Sequence, residues 1–164
     1  MIYHPRNDIY HCCFRLLSIL KSYDHPITIE KIRIIDFYLV YPNFVKEITL
    51  PRKNGNTKIK NMYAKLPPPF EIMPNKKILF SELKNFQYSA ISLLRAKSLI
   101  EIKEKTISKT SDYRLLPNGF FEENNILNDE IQVQLIKCLS SIELIGTQGL
   151  KQRTGLMEYR YDSV

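Results

Sequence analysis

The stretch that decides the fold is FSELKNFQYSAISLLRAKSLIEIKEKTISKTSDYRLLPNGFF, residues 80–121. Its first part predicts an amphipathic helix over about 81–96, opened by Ser81 as N-cap, because apolar residues recur there at helical spacing. These residues are Leu83, Phe86, Ala90, Ile91 and Leu94. The alternating residues that follow, with the polar turn SKTSD, predict a two-stranded ribbon with strands over about 100–107 and 112–116.

The run Pro117-Asn118-Gly119 stops this ribbon, and the next periodic stretch predicts a helix over about 120–140. A helix, a short hairpin and a further helix follow one another in the order of a winged helix-turn-helix. The stretch also resembles the part of that superfamily in which the recognition helix leads through Leu-Ile into the wing. The sequence therefore predicts a mainly α fold with a small β-hairpin wing and a winged helix-turn-helix-like core.

Two further helices are predicted upstream. The first covers about 8–22, with Asn7 or Asp8 as its cap, and the second runs from Thr28, as its cap, until Pro42 stops it. The second helix is apolar nearly all round, which is typical of a central helix, yet it carries Asp36 in its middle. A buried carboxylate is costly, so it must face water or be held by a backbone amide or one of two arginines. These arginines are Arg15 and Arg33.

The segment over 46–69 has weak periodicity, an Asn54-Gly55 turn and three consecutive prolines, and it holds six basic residues against one acidic residue. We interpret it as a flexible basic connector, with a solvated loop and a binding site as the two readings. It lies within a helical, winged-helix domain over 1–145, and residues 146–164 form a C-terminal docking segment.

The composition is compatible with one hydrophobic core, but it does not identify the kind of partner. The chain has 164 residues, 44% of them hydrophobic, and its net charge of +7 is compatible with a nucleic acid or an acidic protein surface. The N-terminal stretch has no apolar leader and no segment is long enough to span a bilayer, so we expect a cytoplasmic protein without a membrane partner. Cys12, Cys13 and Cys138 are expected to be reduced core residues.

Neither a catalytic motif nor a metal-binding motif is present in the sequence. His11, Cys12 and Cys13 are consecutive on a predicted helix, so their side chains point about 100° apart and cannot converge on one ion. The nearest approach to a phosphate-binding loop, GTQGLK over 146–151, lacks the required spacing and the Ser or Thr ligand. We therefore expect no enzyme activity, no metal and no cofactor.

The predicted recognition helix and wing offer side chains for DNA. The candidate DNA-binding residues are Lys84, Tyr88, Arg95, Lys103, Lys105, Lys109 and Arg114, with Asn85, Ser89 and Ser92 on the same helix face. Glu82, Glu101 and Glu104 dilute this charge. Because many winged helices assemble proteins instead, contact with DNA and contact with a protein both remain open.

The C-terminal segment GTQGLKQRTGLMEYRYDSV, residues 146–164, combines glycines with large apolar, aromatic and basic side chains. This mixture is favoured at protein interfaces. The candidate partner-binding residues are Leu150, Arg153, Leu156, Tyr159, Arg160 and Tyr161. The segment is predicted to dock either on its own core or on a partner.

Four blocks spread along the chain resemble one protein family. They are YHCCFRLLSIL over 10–20, IRIIDFYLVYP over 32–42, FSELKNFQYSAISLLRAKSLI over 80–100 and GLKQRTGLMEYRYD over 149–162. Together they resemble the middle-component proteins of bacterial ABC three-component systems, a group that includes the small subunit of Lamassu-type defence against phages and plasmids.

The resemblance implies a subunit without chemistry of its own. It would connect an SMC-like, ABC-type ATPase, which engages DNA, to an effector such as a nuclease or another hydrolase. Double-stranded DNA would be met through the complex. Asp36 and Tyr38 in the second block carry over as partner-binding positions. The alternative function is a free-standing winged-helix transcriptional regulator that binds DNA.

Overall fold

The computed structural model describes residues 8–52, 55–69, 72–122, 129–158 and 160, and within them the protein is mainly helical with a small antiparallel sheet. The α-helices are α1 (Ile9–Lys21), α2 (Ile29–Val40), α3 (Asn56–Ala64), α4 (Lys76–Ala96), α5 (Ser111–Arg114), α6 (Gly119–Glu122), α7 (Glu130–Ser140) and α8 (Leu150–Thr154). A 3₁₀ helix covers Pro42–Glu47, and the strands are β1 (Ile27–Thr28), β2 (Ile100–Lys103) and β3 (Thr106–Lys109).

The two upstream helices and their caps are confirmed. The Asp8 carboxylate accepts hydrogen bonds from the backbone N–H groups of Tyr10 and His11, at 2.6 and 3.2 Å, and so satisfies free donors at the start of α1. The Thr28 hydroxyl does the same for Lys31 in α2, at 3.2 Å. Residues 31–38 of α2 are all buried, so this helix is central.

Helix α4 begins earlier than the sequence predicts. Asn75, rather than Ser81, is its N-cap, and the Asn75 side chain accepts from the Lys77 N–H at 2.8 Å. Leu79 and Phe80 are buried, so the apolar row reaches back beyond Ser81, which lies exposed on the helix. Pro74 and the asparagine that follows it were the signal for this start.

The hairpin is shorter than predicted, and its second strand lies elsewhere. Strands β2 and β3 are joined by Glu104 and Lys105, whose φ angles are +46° and +68°. A two-residue turn of this conformation matches the twist of the strands, but it usually contains Asn or Gly. Because this turn contains Glu and Lys, the sequence carries no signal for it. The strand predicted over 112–116 is wrong, because Thr110 caps the short helix α5 there.

A third strand completes the sheet. Residues of β1 pair with β3, with Ile27 opposite Ile107, and the strand order is β1-β3-β2. The Ile29 N–H also donates to the Lys105 carbonyl at 2.9 Å, so the hairpin turn is bonded to the first residue of α2. The sequence prediction contained only the two hairpin strands, because β1 has two residues and leads directly into α2.

The predicted connector over 46–69 contains regular structure. It includes the end of the 3₁₀ helix and all of α3, which buries Ile59 and Tyr63. Asn54 of the predicted turn lies outside the described residues, and Gly55, with a φ of +94°, precedes α3. The single helix predicted over 120–140 is described as α6 and α7, and residues 123–128 between them lie outside the description.

The core lies where α1, α2 and α4 meet, and α7 packs against α2. The ring of Phe37 is its aromatic centre, with centroids 5.1 Å from Tyr41 and 5.8 Å from both Phe44 and Phe80. Tyr113 ties α5 to α1, because its hydroxyl donates to the Leu17 carbonyl at 3.0 Å.

The three cysteines are buried and free of disulfides. Burial raises the pKa of the Cys13 thiol to about 11, and burial followed by the charge of Asp36 raises the pKa of Cys12 further. Both groups therefore stay protonated at neutral pH, which suits core packing rather than nucleophilic chemistry.

Candidate nucleic-acid and partner interfaces

Exposed side chains form a basic line along α4, which we call the α4 stripe. It consists of Lys77, Lys84, Tyr88 and Arg95. The spacings of seven, four and seven residues place all four on one side of the helix. Eighteen residues of helix extend about 27 Å, so the stripe offers a line of cations beside an aromatic ring. Lys77 was missed because the helix was predicted to start after it.

Apart from Ile78 in the first turn, which is 53% exposed, most of the remaining exposed α4 surface consists of small or polar side chains. Ser81, Asn85 and Ser92 lie along its centre, and Glu82 and Ser89 lie on the edge away from the stripe. The acidic dilution expected for this helix is therefore confined to the edge opposite the cations. Arg95, near the end of α4, is the stripe residue nearest the hairpin in the chain.

The hairpin lysines differ in how freely they reach solvent. The Lys103 side chain is 79% exposed and its ammonium group lies 3.6 Å from the Glu101 carboxylate, while Lys105 is exposed at the turn. The Lys109 ammonium group lies 3.9 Å from Asp24 and 5.5 Å from the Tyr113 ring, with 20% of its side chain exposed. Lys103 and Lys105 are thus better placed to meet a partner than Lys109.

Arg114, the last of the candidate DNA-binding residues, is exposed in α5, four residues beyond Thr110. It lies on a helix instead of on the returning strand of the wing, because the strand predicted there does not form. Arg114 therefore lies on α5, whereas the hairpin lysines lie on β2, on β3 and in the turn between them.

A buried polar network holds α4 against α1 and α2. The Arg15 guanidinium donates to both oxygens of Asp36, at 2.6 and 3.4 Å, and the Gln87 amide donates to Asp36 at 2.8 Å. Gln87 also bonds Arg33, accepting from its guanidinium at 2.9 Å and donating to its backbone carbonyl at 3.1 Å. Asp36 is 0% exposed, so a partner cannot contact this side chain in the structure described.

The network confirms Arg15 as the ion-pair partner of Asp36, while partner binding by Asp36 stays a prediction that the buried position of this side chain does not favour. Burial alone would lower the pKa of Arg15, but the charge of Asp36 and their hydrogen bond outweigh burial and raise it. Gln87 was missed by the sequence analysis. Its signal was a polar residue at a helical position otherwise occupied by the buried row of Leu83 and Leu94.

Arg33 connects this network to the surface. Its guanidinium carbon lies 4.7 Å from the Phe80 ring centroid and 5.2 Å from that of Tyr88, which is 41% exposed. A guanidinium stacked on a ring holds the ring in place. The aromatic member of the α4 stripe is thereby fixed from beneath.

The described part of the C-terminal segment packs on the protein's own core. Leu150, Thr154 and Leu156 are buried, and the Lys151 ammonium group lies 3.2 Å from Glu30 of α2. Arg153 donates to the backbone carbonyl of Thr49. The candidate residues Leu150 and Leu156 are therefore core residues in this conformation, and Arg153 is engaged within the chain.

The remaining C-terminal candidates differ in what can be said of them. Arg160 is exposed, and its backbone N–H donates to the Glu158 carboxylate at 3.0 Å. Tyr159 and Tyr161 lie outside the described residues. Partner binding by this end of the chain stays a prediction.

Tyr38 borders a cleft of about 140 Å³ between the end of α2, α3 and the start of α7, which we call the Tyr38 cleft. Its apolar wall consists of Leu39, Pro42, Met62, Leu66 and Ile131. Tyr38 is 1% exposed, and its hydroxyl has no hydrogen-bond partner within the described part of the chain. A buried hydroxyl without a partner costs about 1–3 kcal/mol, so this group is an exception among buried polar atoms.

Two further findings concern metal binding and membrane spans. Among residues 8–52, 55–69, 72–122, 129–158 and 160, no three His, Cys, Asp or Glu side chains are grouped so that they could hold a metal ion. Over the same residues, every helix is too short or too polar to cross a bilayer.

The described residues thus form a small, mainly helical protein with a basic helix face, a short sheet and an apolar cleft. Comparison with protein families gives the assignment. Residues 1–162 match the family described as ABC-three component (ABC-3C) system Middle Component 5, MC5. The chain belongs to this family, which confirms the resemblance to middle components. No curated protein and no solved structure matches the chain.

Proposed function

We propose that the protein is a non-enzymatic adaptor subunit that links a DNA-engaging, SMC-like ATPase to an effector in a Lamassu-type defence complex. Membership of the middle-component family over residues 1–162 carries this proposal, since a middle component has partner subunits. The effector would be a nuclease or another hydrolase. The protein itself would pass the state of the ATPase to the effector through its surfaces.

The element order supports a winged helix as the core of the adaptor. Without the 3₁₀ helix and α3, the elements run α1-β1-α2-α4-β2-β3, and the sheet order is β1-β3-β2. In this reading α4 takes the position of the recognition helix and the β2-β3 hairpin takes that of the wing. The 3₁₀ helix and α3 are then an insertion between the two helices of the helix-turn-helix.

The surface chemistry favours contact with the phosphate backbone over base reading. The α4 stripe presents lysine and arginine side chains in a line, and Lys103 and Lys105 project from the hairpin. Cations of this kind position a protein on DNA without reading sequence. Such a contact suits a subunit that meets DNA as part of a complex.

The buried groups favour a role without chemistry. Asp36 is held by Arg15 and Gln87 inside the core, and the thiols of Cys12 and Cys13 have raised pKa values. A general acid, base or nucleophile must reach a substrate. These groups are engaged in packing, in agreement with a subunit that depends on partners for activity.

Co-expression with the neighbouring genes tests the adaptor function directly. The tagged protein should copurify with an ATPase subunit and an effector subunit. Absence of any ATPase from the purified sample would overturn the proposal. A stable symmetric dimer that binds one palindromic operator tightly at physiological salt would instead support the free-standing regulator.

Charge reversal tests the DNA contact in the assembled complex. Lys84→Glu with Arg95→Glu removes two cations of the stripe, and Lys103→Glu with Lys105→Glu removes two from the hairpin. Each pair should weaken retention of double-stranded DNA and reduce the slope of log affinity against log salt by about 0.9 for each phosphate that is no longer neutralised. Lys137→Glu, at an exposed position of α7, is the control. Equal retention by all variants would mean that these surfaces meet protein.

A further inference from the structure

The Tyr38 cleft combines an apolar wall with a donor that lacks an acceptor. We propose that it binds a short acidic segment of a partner protein, which inserts an apolar side chain and accepts a hydrogen bond from the Tyr38 hydroxyl. The proposal rests on the adaptor function above, in that it requires a partner subunit. It adds a docking site remote from α4 and the hairpin, and it states the chemistry of the docked segment.

The hydroxyl is the first observation. Tyr38 borders the cleft and is 1% exposed, and its hydroxyl finds no acceptor among the described residues. Burial, reinforced by the charge of Glu47, raises the pKa of Tyr38, so the group remains a neutral hydrogen-bond donor. An occupant that supplies a carbonyl or carboxylate oxygen removes the penalty of this unpaired group. Because the hydroxyl itself is buried, an occupant reaches it only when a lining side chain moves. Met62 lines the cleft, and its unbranched thioether side chain is able to move in this way.

The wall of the cleft is the second observation. Leu66, 39% exposed, forms part of an apolar wall with Leu39, Pro42 and Ile131. A concave apolar surface with one placed polar group is the usual form of a site that anchors a side chain. The volume of about 140 Å³ is that of a cavity that holds one benzene-sized group, so the cleft can take a single apolar side chain.

Charge decides in favour of an acidic segment. Lys58 and Lys65 do not line the cleft themselves, but they lie four residues before and three residues after Met62, so both are neighbours of a lining residue on the helix surface. Both are exposed, and the sequence over 48–69 contains no acidic residue. At the other wall the Asp129 carboxylate already accepts from the N–H groups of Ile131 and Gln132 as the cap of α7. The α3 rim therefore attracts negative charge.

The experiment uses the full chain and the ATPase and effector subunits encoded beside it, each purified, with binding measured by calorimetry or biolayer interferometry. Tyr38→Phe removes only the hydroxyl and should weaken binding of one subunit about tenfold, the effect of one buried hydrogen bond. Leu66→Glu should weaken it at least as much. Overlapping fifteen-residue peptides of that subunit then locate the segment, which should be acidic with an apolar anchor.

A matched pair of charge reversals isolates the rim. Lys58→Glu should weaken binding roughly fivefold at low salt and less at high salt. Lys137→Glu makes the same change at an exposed position of α7, five residues beyond the last lining residue of that helix, and should leave binding unchanged. Equal affinities for wild type, Tyr38→Phe and Lys58→Glu overturn the cleft proposal while leaving the adaptor function intact.

Other outcomes overturn it differently. If neither subunit binds the wild-type chain, the adaptor function fails and the cleft proposal fails with it. If the wild type is a dimer that Leu66→Glu converts to a monomer, the occupant is a second copy. If native mass spectrometry of the wild type shows a small molecule that Leu66→Glu lacks, the occupant is that ligand.

Discussion

Asp36 and Tyr38 lie two residues apart on the central helix α2, and both are buried, yet their polar atoms have opposite surroundings. A separation of two residues turns the side chains to opposite sides of a helix. Asp36 faces α1 and α4 and is bonded by Arg15 and Gln87, whereas Tyr38 borders the cleft and its hydroxyl lacks a partner in the described chain. We call the Asp36 side of α2, where the polar groups bond one another, the closed side. The Tyr38 side, where a hydroxyl lacks a partner in the described chain, is the open side.

The difference separates stability from binding. Polar groups that satisfy one another hold a core in one arrangement, and removal of one member exposes the full cost of the others. A buried polar group that is unsatisfied in the free chain opposes folding, and a ligand that supplies an acceptor removes this cost. The same helix thus holds the core together towards α4 and borders the proposed docking site towards α3.

The largest effect is expected on the closed side. Asp36→Ala leaves the Arg15 guanidinium buried without its carboxylate and should lower the free energy of unfolding by about 3–5 kcal/mol in urea titration. Arg15→Met with Asp36→Leu replaces both charges by apolar groups and should recover most of this loss. A loss below about 1 kcal/mol for Asp36→Ala would show that the ion pair does not hold the core.

Gln87 gives a smaller change within the same network. Gln87→Ala removes the amide that bridges Asp36 and Arg33, and should cost about 1–3 kcal/mol of unfolding free energy. Asn85→Ala, two residues away on the exposed face of α4, is the control and should stay within about 0.5 kcal/mol of wild type. Equal effects of the two substitutions on the unfolding free energy would show that Gln87 does not contribute to the stability of the network.

Alkaline pH probes the open side. Burial and then the charge of Glu47 raise the pKa of Tyr38 above its ordinary value of 10.0, so the unfolded chain loses this proton at a lower pH than the folded chain. Stability is therefore intact below about pH 10 and falls as the pH rises further. In Tyr38→Phe the loss between pH 9 and 11 should be smaller by about 1.4 kcal/mol. Identical losses in both proteins would contradict this.

The smallest effect is the sharpest comparison. Tyr113→Phe and Tyr38→Phe delete the same atom, but the Tyr113 hydroxyl donates to the Leu17 carbonyl and the Tyr38 hydroxyl has no such bond in the described residues. At neutral pH Tyr113→Phe should cost about 1 kcal/mol, whereas Tyr38→Phe should be neutral or slightly stabilising. A matching cost for both would mean that Tyr38 is already satisfied in the free chain.

The closed side could largely be predicted from the sequence. Apolar periodicity and the caps Asp8 and Thr28 located α1 and α2, and a carboxylate in an apolar helix required a partner such as Arg15. The start of α4 was misplaced because two signals competed, Asn75 after Pro74 and Ser81 further on. Burial of Leu79 and Phe80 decides between them, and burial is a tertiary property.

The open side could not be predicted in the same way. Helix α3 lies within a weakly periodic stretch, so its sequence gives little local signal. Packing on the 3₁₀ helix and α7 stabilises it instead. Nothing local distinguishes Tyr38 from its neighbour Phe37, since both are aromatic residues of one apolar run. That its hydroxyl lacks an acceptor follows only from the arrangement of three elements around it.

The bond from the Ile29 N–H to the Lys105 carbonyl joins the tip of the hairpin to the first residue of α2. Strand β1, which immediately precedes α2, pairs with β3. The hairpin is therefore bonded both to β1 and to the first residue of α2. A force on the hairpin tip therefore acts directly on the N-terminus of α2, the helix that carries Asp36 on one side and Tyr38 on the other. The exposed lysine turn of the hairpin is thus bonded directly to the helix that borders the cleft.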